Sequence, residues 1–85
     1  MMRIRFTRHA LEKFTVLRRH GVFVSREKVL RTIAFPDTID YRRDPLLIAQ
    51  GDLDTTHVLR VVYRIEGATR VVITFYPGRK SQYEN

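Results

Sequence analysis

Eighty-five residues suffice for one small domain with a modest core, and a 44 % hydrophobic share with nine aromatics points to a folded globule. The absence of cysteine excludes disulfides and thiolate metal sites, no apolar run approaches the ~20 residues that span a bilayer, and Met1-Met2-Arg3-Ile4-Arg5 lacks the apolar stretch of a signal peptide. The expectation is a cytoplasmic protein without membrane contact. Sixteen Lys and Arg against nine Asp and Glu give a net charge of +7, and thirteen of the sixteen are arginine. Arginine grips phosphate through a planar fork and stacks on bases, so this balance points to RNA, DNA or an acidic protein as partner. The competing reading is an arginine-rich surface of ion pairs.

In chain order, Met1 to Phe6 is a short first strand with Ile4 and Phe6 on one side. Thr7 caps a helix running to about His20, with Ala10, Phe14 and Leu17 as its buried stripe. His9, Lys13, Val16 and His20 form a second stripe beside it, and Gly21 ends the helix. Ser25 caps a second helix, Val24 and Val29 forming a hydrophobic staple. Val29, Leu30, Ile33 and Ala34 are its buried face, and Pro36 stops it. Thr38 to Arg43 alternates as a strand, Asp44-Pro45 turns, Leu46 to Gln50 is the next strand, and Gly51 to Thr56 is a polar loop.

The last third reads as a β-hairpin, His57 to Arg64 and Arg70 to Tyr76, joined through Glu66-Gly67-Ala68. This register pairs Leu59 with Phe75, Val61 with Ile73 and Tyr63 with Val71. The other face pairs Arg60 with Thr74, Val62 with Val72, and Arg64 with Arg70. Like charges directly across a strand pair destabilise it, so a face carrying Arg60, Arg64 and Arg70 is expected to meet an anion such as a nucleic-acid backbone. A basic tail, Pro77 to Asn85, follows. Helices followed by strands imply an α+β domain: two N-terminal helices on one face of a mostly antiparallel sheet of about four strands, the other face open to solvent.

Several chemistries are poorly supported. His9 and His20 stand eleven positions apart, about 16 Å along a helix, too far to share an ion, and nothing places His57 with either, so no metal site is expected. Ser25 serves as a cap, and Asp52 and Asp54 read as loop formers. Metal-free RNA cleavage fits better. It needs a group to take the 2′-hydroxyl proton, cations on the scissile phosphate and a group to protonate the leaving oxygen, and no cofactor. Arg60 and Arg64 on the hairpin, His9 and Lys13 on the first helix, and Tyr76, Arg79, Lys80 and Tyr83 near the end are the candidates. Each has a plainer reading: His9 and His20 as helix-surface residues, Tyr63 as core, Tyr76 as sheet cover, Arg79 and Lys80 as solvated tail. Only their clustering favours catalysis.

Phe6-Thr7-Arg8-His9-Ala10-Leu11-Glu12-Lys13 and Arg19-His20-Gly21-Val22 bracket the first helix. Leu59-Arg60-Val61-Val62-Tyr63 and Val71-Val72-Ile73-Thr74-Phe75-Tyr76-Pro77, with Arg79 after them, close the sheet. In their order and spacing these segments resemble a small domain-of-unknown-function family, with an F-T-x-H-A-x-x-K opening motif, related to RelE- and BrnT-type toxins. The resemblance covers almost the whole chain. It implies a single RelE-like domain over residues 1–85 and a metal-free ribonuclease acting on mRNA, often on the ribosome. It also implies an antitoxin that covers the basic face. By position it carries the family's catalytic roles to Arg60, Arg79 and Tyr83, while His9 and Lys13 match the opening motif.

The resulting expectation is a toxin-like endoribonuclease. Arg60 and Arg79 would stabilise the phosphate, Tyr83 or His9 would move protons, and Lys13, Arg64, Arg70, Tyr76 and Lys80 would hold RNA. The alternative is a non-catalytic module that uses the same face to bind an acidic protein or to form a homodimer.

Overall fold

A computed structural model describes residues 2–83; Met1, at the start of the expected first strand, and Glu84 and Asn85, at the end of the expected tail, lie outside the described residues. The protein is α+β. Its elements run β1 (Arg3–Phe6), α1 (Arg8–Arg19), α2 (Arg26–Ala34), β2 (Thr38–Asp40), β3 (Leu47–Asp52), β4 (His57–Glu66), β5 (Thr69–Arg79) and α3 (Lys80–Tyr83). The sheet has five strands in the order β1-β5-β4-β3-β2, antiparallel except for β1, which runs parallel to β5. Among the described residues no helix is long and apolar enough to cross a membrane.

Both helix starts follow their capping residues. Thr7 Oγ1 accepts from the Ala10 amide at 3.1 Å and Ser25 Oγ from the Lys28 amide at 3.0 Å. Thr7 is also stitched to β5: its amide donates to the Val72 carbonyl at 3.0 Å and its hydroxyl to that of Ile73 at 3.2 Å. At the far end of α1, Gly21 takes φ +77°. Its amide donates to the Arg18 carbonyl and that of Val22 to Leu17, the pair of bonds of a Schellman stop.

The helices lie on one face of the sheet. Ala10, Val29, Ile33, Leu59, Val61, Val72 and Phe75 form the buried core there, with Ile4, Phe6, Phe14, Leu17, Val24 and Leu53 packed around them. Phe14 bridges the layers, its ring centroid 4.6 Å from that of Phe75 and 6.0 Å from that of Phe6.

Several expected boundaries move. β2 ends at Asp40 instead of Arg43, because the Asp40 carboxylate accepts the Arg42 amide at 2.9 Å and turns the chain. β3 continues through Gly51 and Asp52, which narrows the expected loop to residues 53–56. Pro77, Gly78 and Arg79 belong to β5, and the tail continues into α3.

The hairpin register also differs from expectation. The loop is only Gly67-Ala68, with Glu66 opposite Thr69 and Gly67 at φ +60°. A positive φ at the first turn position suits a two-residue hairpin that follows the strand twist. A bulge then adds Ile73 to β5 between the Val62–Thr74 and Tyr63–Val72 pairs. Leu59 therefore faces Pro77, Val61 faces Phe75 and Arg60 faces Tyr76. The expected Arg64–Arg70 pair does not form: Arg64 faces Val71 and Arg70 faces Ile65. Arg70 turns to the helix side, where it donates to the Ile33 carbonyl at the end of α2 and lies 5.8 Å from the Tyr63 ring centroid. It is a helix-capping cation and not part of the open face.

Candidate nucleic-acid interface

Pleat alternation sends the residues opposite the core to the open face. Arg3 and Arg5 come from β1, Asp40 from β2, Gln50 from β3, Arg60, Arg64 and Glu66 from β4, and Tyr76 from β5. Near the hairpin end Arg5 and Arg64 share Glu66, Arg5 at 3.6 Å and Arg64 in closer contact. Arg64 holds the Glu66 carboxyl below its ordinary pKa.

At the other end Arg60 is buried, with only 5 % of its surface accessible. Every nitrogen of its guanidinium has a partner. Nε donates to Tyr76 Oη at 3.0 Å, Nη1 to Gln50 Oε1, and Nη2 to Asp40 Oδ2 at 3.0 Å. Asp40 also takes two bonds from the Arg42 guanidinium. Arg42, through its side chain and backbone, and then Arg60 hold the Asp40 carboxyl far below the usual carboxylate range. The Tyr83 ring covers Arg60 with its centroid 4.1 Å from the guanidinium carbon. Gly78 permits this cover, since a Cβ there would stand 2.4 Å from the Tyr83 ring. Asp40, Arg42, Arg43, Arg60, Tyr76 and Tyr83 line a cleft of about 380 Å³.

Apart from Arg64 at the hairpin end and Arg70 on the helix side, the expected site residues separate into three places. Arg60, Tyr76 and Tyr83 meet in this cleft, beside Arg42 and Arg43, which the sequence did not single out. Arg60 is committed to internal partners through all three guanidinium nitrogens, with the Tyr83 ring over it. His9 and Lys13 stand on α1 in the helix layer, on the opposite side of the sheet from Arg60. Arg79 pairs with His57 across β5 and β4. Three positions along the strand from the Arg60–Tyr76 pair, Arg79 lies about 10 Å away and on the other face by alternation.

Arg79 and Lys80 line a second hollow, of about 520 Å³, with Thr55, Thr56, His57 and Ser81. The Lys80 amide donates to the Thr56 carbonyl at 2.9 Å, and its ammonium lies 3.3 Å from Asp52 Oδ1. His57 Nδ1 lies 2.9 Å from Asp54 Oδ1 and 2.9 Å from Thr56 Oγ1. Asp54 also accepts the amides of Thr56 and His57 at 2.9 and 2.7 Å. The Thr56 backbone amide, then the His57 side chain, hold the Asp54 carboxyl down at about 2. An ionised carboxylate only accepts, so Nδ1 carries the hydrogen and Nε2 of neutral His57 presents its lone pair. The spacing Asp54-x-Thr56-His57 is the local signal for this turn, and its Asp–His contact needed the folded loop to become visible. In comparisons with protein-family profiles, curated proteins and solved structures, nothing matches this chain.

Proposed function

We propose that the protein is a toxin-like RNA-binding protein that cleaves mRNA without a metal ion, and that an acidic antitoxin covers its basic face. The observation that carries this reading is the make-up of the open sheet face. Arg3, Arg5 and Arg64 supply cations at the hairpin end, and Arg42 and Arg43 flank the tyrosines at the other. Cations interleaved with aromatic rings are the chemistry of single-stranded RNA recognition: the cations follow the phosphates and the rings stack on splayed bases. Tyr83, 38 % exposed, offers a ring at the surface, and Arg60 holds Tyr76 beneath it. The chain's net charge of +7 draws a polyanion to this face.

The test measures binding of a labelled single-stranded RNA at several salt concentrations, for the wild type and for a variant with Arg5, Arg42, Arg43 and Arg64 changed to Gln. Affinity should fall steeply with salt, and in the variant the slope should flatten by about 0.7 for each phosphate that is no longer neutralised. Expression of the wild type should arrest growth with loss of intact mRNA. RNA affinity that is weak and indifferent to these substitutions, with no arrest, refutes the reading and leaves an interaction module with a protein partner.

A further inference from the structure

Resting on the RNA-cleaving reading above, we infer that cleavage occurs in the hollow at the β4–β5 end, with His57 as general base and Arg79 as the cation on the scissile phosphate. Three features of the hollow lead there. First, His57 is the one histidine among the described residues whose ring makes a side-chain hydrogen bond to a carboxylate. His9 and His20 sit exposed on or at the end of α1. Orientation of one imidazole nitrogen by a carboxylate leaves the other as a directed proton acceptor. Second, His57 and Arg79 are cross-strand partners, which places their Cβ atoms about 5 Å apart on one face. Both side chains line the same hollow. Third, the Lys80 ammonium is held by Asp52 and its amide by Thr56, which fixes the turn carrying Arg79. The Arg60 cleft lacks this combination, because its arginine is saturated by Tyr76, Gln50 and Asp40.

The step is an internal transesterification. His57 Nε2 takes the 2′-hydroxyl proton as the 2′-oxygen bonds to phosphorus. The P–O5′ bond breaks, and its electron pair leaves with the 5′-oxygen, which takes a proton from water. The imidazolium then returns its proton to solvent. The products are a 2′,3′-cyclic phosphate and a 5′-hydroxyl, and Arg79 neutralises the added charge on the phosphorane oxygens. The charged groups around His57 are Asp54 on its own loop, Arg79 on β5, and Lys80 with Asp52. The Gly21-Val22-Phe23 segment, which faces it from the helix side, brings none.

The decisive variant is His57→Asn in the full chain. Its amide nitrogen occupies the Nδ1 position and keeps the bond to Asp54, while nothing remains at Nε2. Single-stranded RNA and its all-2′-deoxy counterpart are the probes, with cleavage rate, product ends and RNA affinity as readouts. We expect H57N to lose at least ~100-fold in rate with affinity and thermal midpoint near wild type. The deoxy strand should stay intact. H57N that cuts as fast as wild type overturns the inference and leaves the RNA-cleaving reading standing. Loss of cutting in Y76F but not H57N would then move the centre to the Arg60 cleft. Wild-type protein that binds RNA and cuts none overturns the inference and the cleavage half of that reading, leaving the binding half. Failure to bind removes both.

Discussion

Replacing Asp40 with asparagine isolates the buried charge at the centre of the open face. The Arg60 side chain is 6 % exposed and that of Asp40 13 %. Asparagine keeps the shape and one acceptor for Nη2, but leaves the guanidinium charge with only neutral partners in this network: Gln50, Tyr76 and the amide itself. Stripping the partner from a buried ion pair costs about 3–5 kcal/mol. The pair lies under a single tyrosine ring at the open side of the sheet, so a loss of about 2–3 kcal/mol is expected, at or just below the lower limit of that range. In a domain of this size each kcal/mol lowers Tm by about 4–8 °C, so a fall of at least about 8 °C should be seen. The assay is urea unfolding with a check that the m-value is unchanged. Arg60→Met, which removes the charge along with its need for a partner, should cost less than D40N. The acid side gives a second signature. Because the folded-state pKa of Asp40 is depressed, its contribution is present above the unfolded value near ~3.9 and is lost as pH falls through the lower folded value. D40N should therefore fall below wild type at neutral pH and converge with it on strong acidification. Equal and small losses in D40N and Arg60→Met, with no convergence, would show that the Arg60 charge is solvated and refute the argument.

The other predictions concern the cover, the loop and the core. Gly78→Ala should push Tyr83 off Arg60, costing about 0.5–1 kcal/mol as for a cation–π contact near the surface; adding Tyr83→Ala should then cost nothing more, and full additivity in that double-mutant cycle refutes the contact. Asp54→Asn should destabilise at neutral pH, with the deficit vanishing as acid carries the wild type from its unfolded value near ~3.9 down through about 2; a deficit independent of pH, followed by circular dichroism, counts against the Asp54–His57 contact. Phe75→Ala, at a site with no exposed surface that touches Phe14, should cost about 3–5 kcal/mol and leave little folded protein at 37 °C by near-ultraviolet circular dichroism; a cost below ~1 kcal/mol would place Phe75 outside the core.

Local chemistry alone set much of the scaffold. Thr7 and Ser25 mark helix starts because a hydroxyl on an extended residue satisfies an amide three positions on, and Gly21 and Pro36 mark stops because backbone freedom and a missing N–H act within a few residues. The helix stripes and the alternation of Leu59, Val61, Ile4 and Phe6 are periodicities visible without a partner, so the α+β class and the helix-covered face were readable in the chain. Register was not. A two-residue turn at Gly67-Ala68 and one extra residue at Ile73 leave the hydrophobic pattern readable in either pairing, yet they exchange every neighbour across the hairpin. That exchange carried Arg70 to the helix side and set Tyr76 opposite Arg60. Asp40, Gln50 and Arg60 lie ten or more positions apart from one another, and Tyr83 reaches them only because Gly78 lacks a side chain. No local rule links such residues, because a buried arginine selects its partners in space. The tertiary structure therefore decided which arginines were committed to internal partners and which faced solvent, and that division determines where a phosphate can be held.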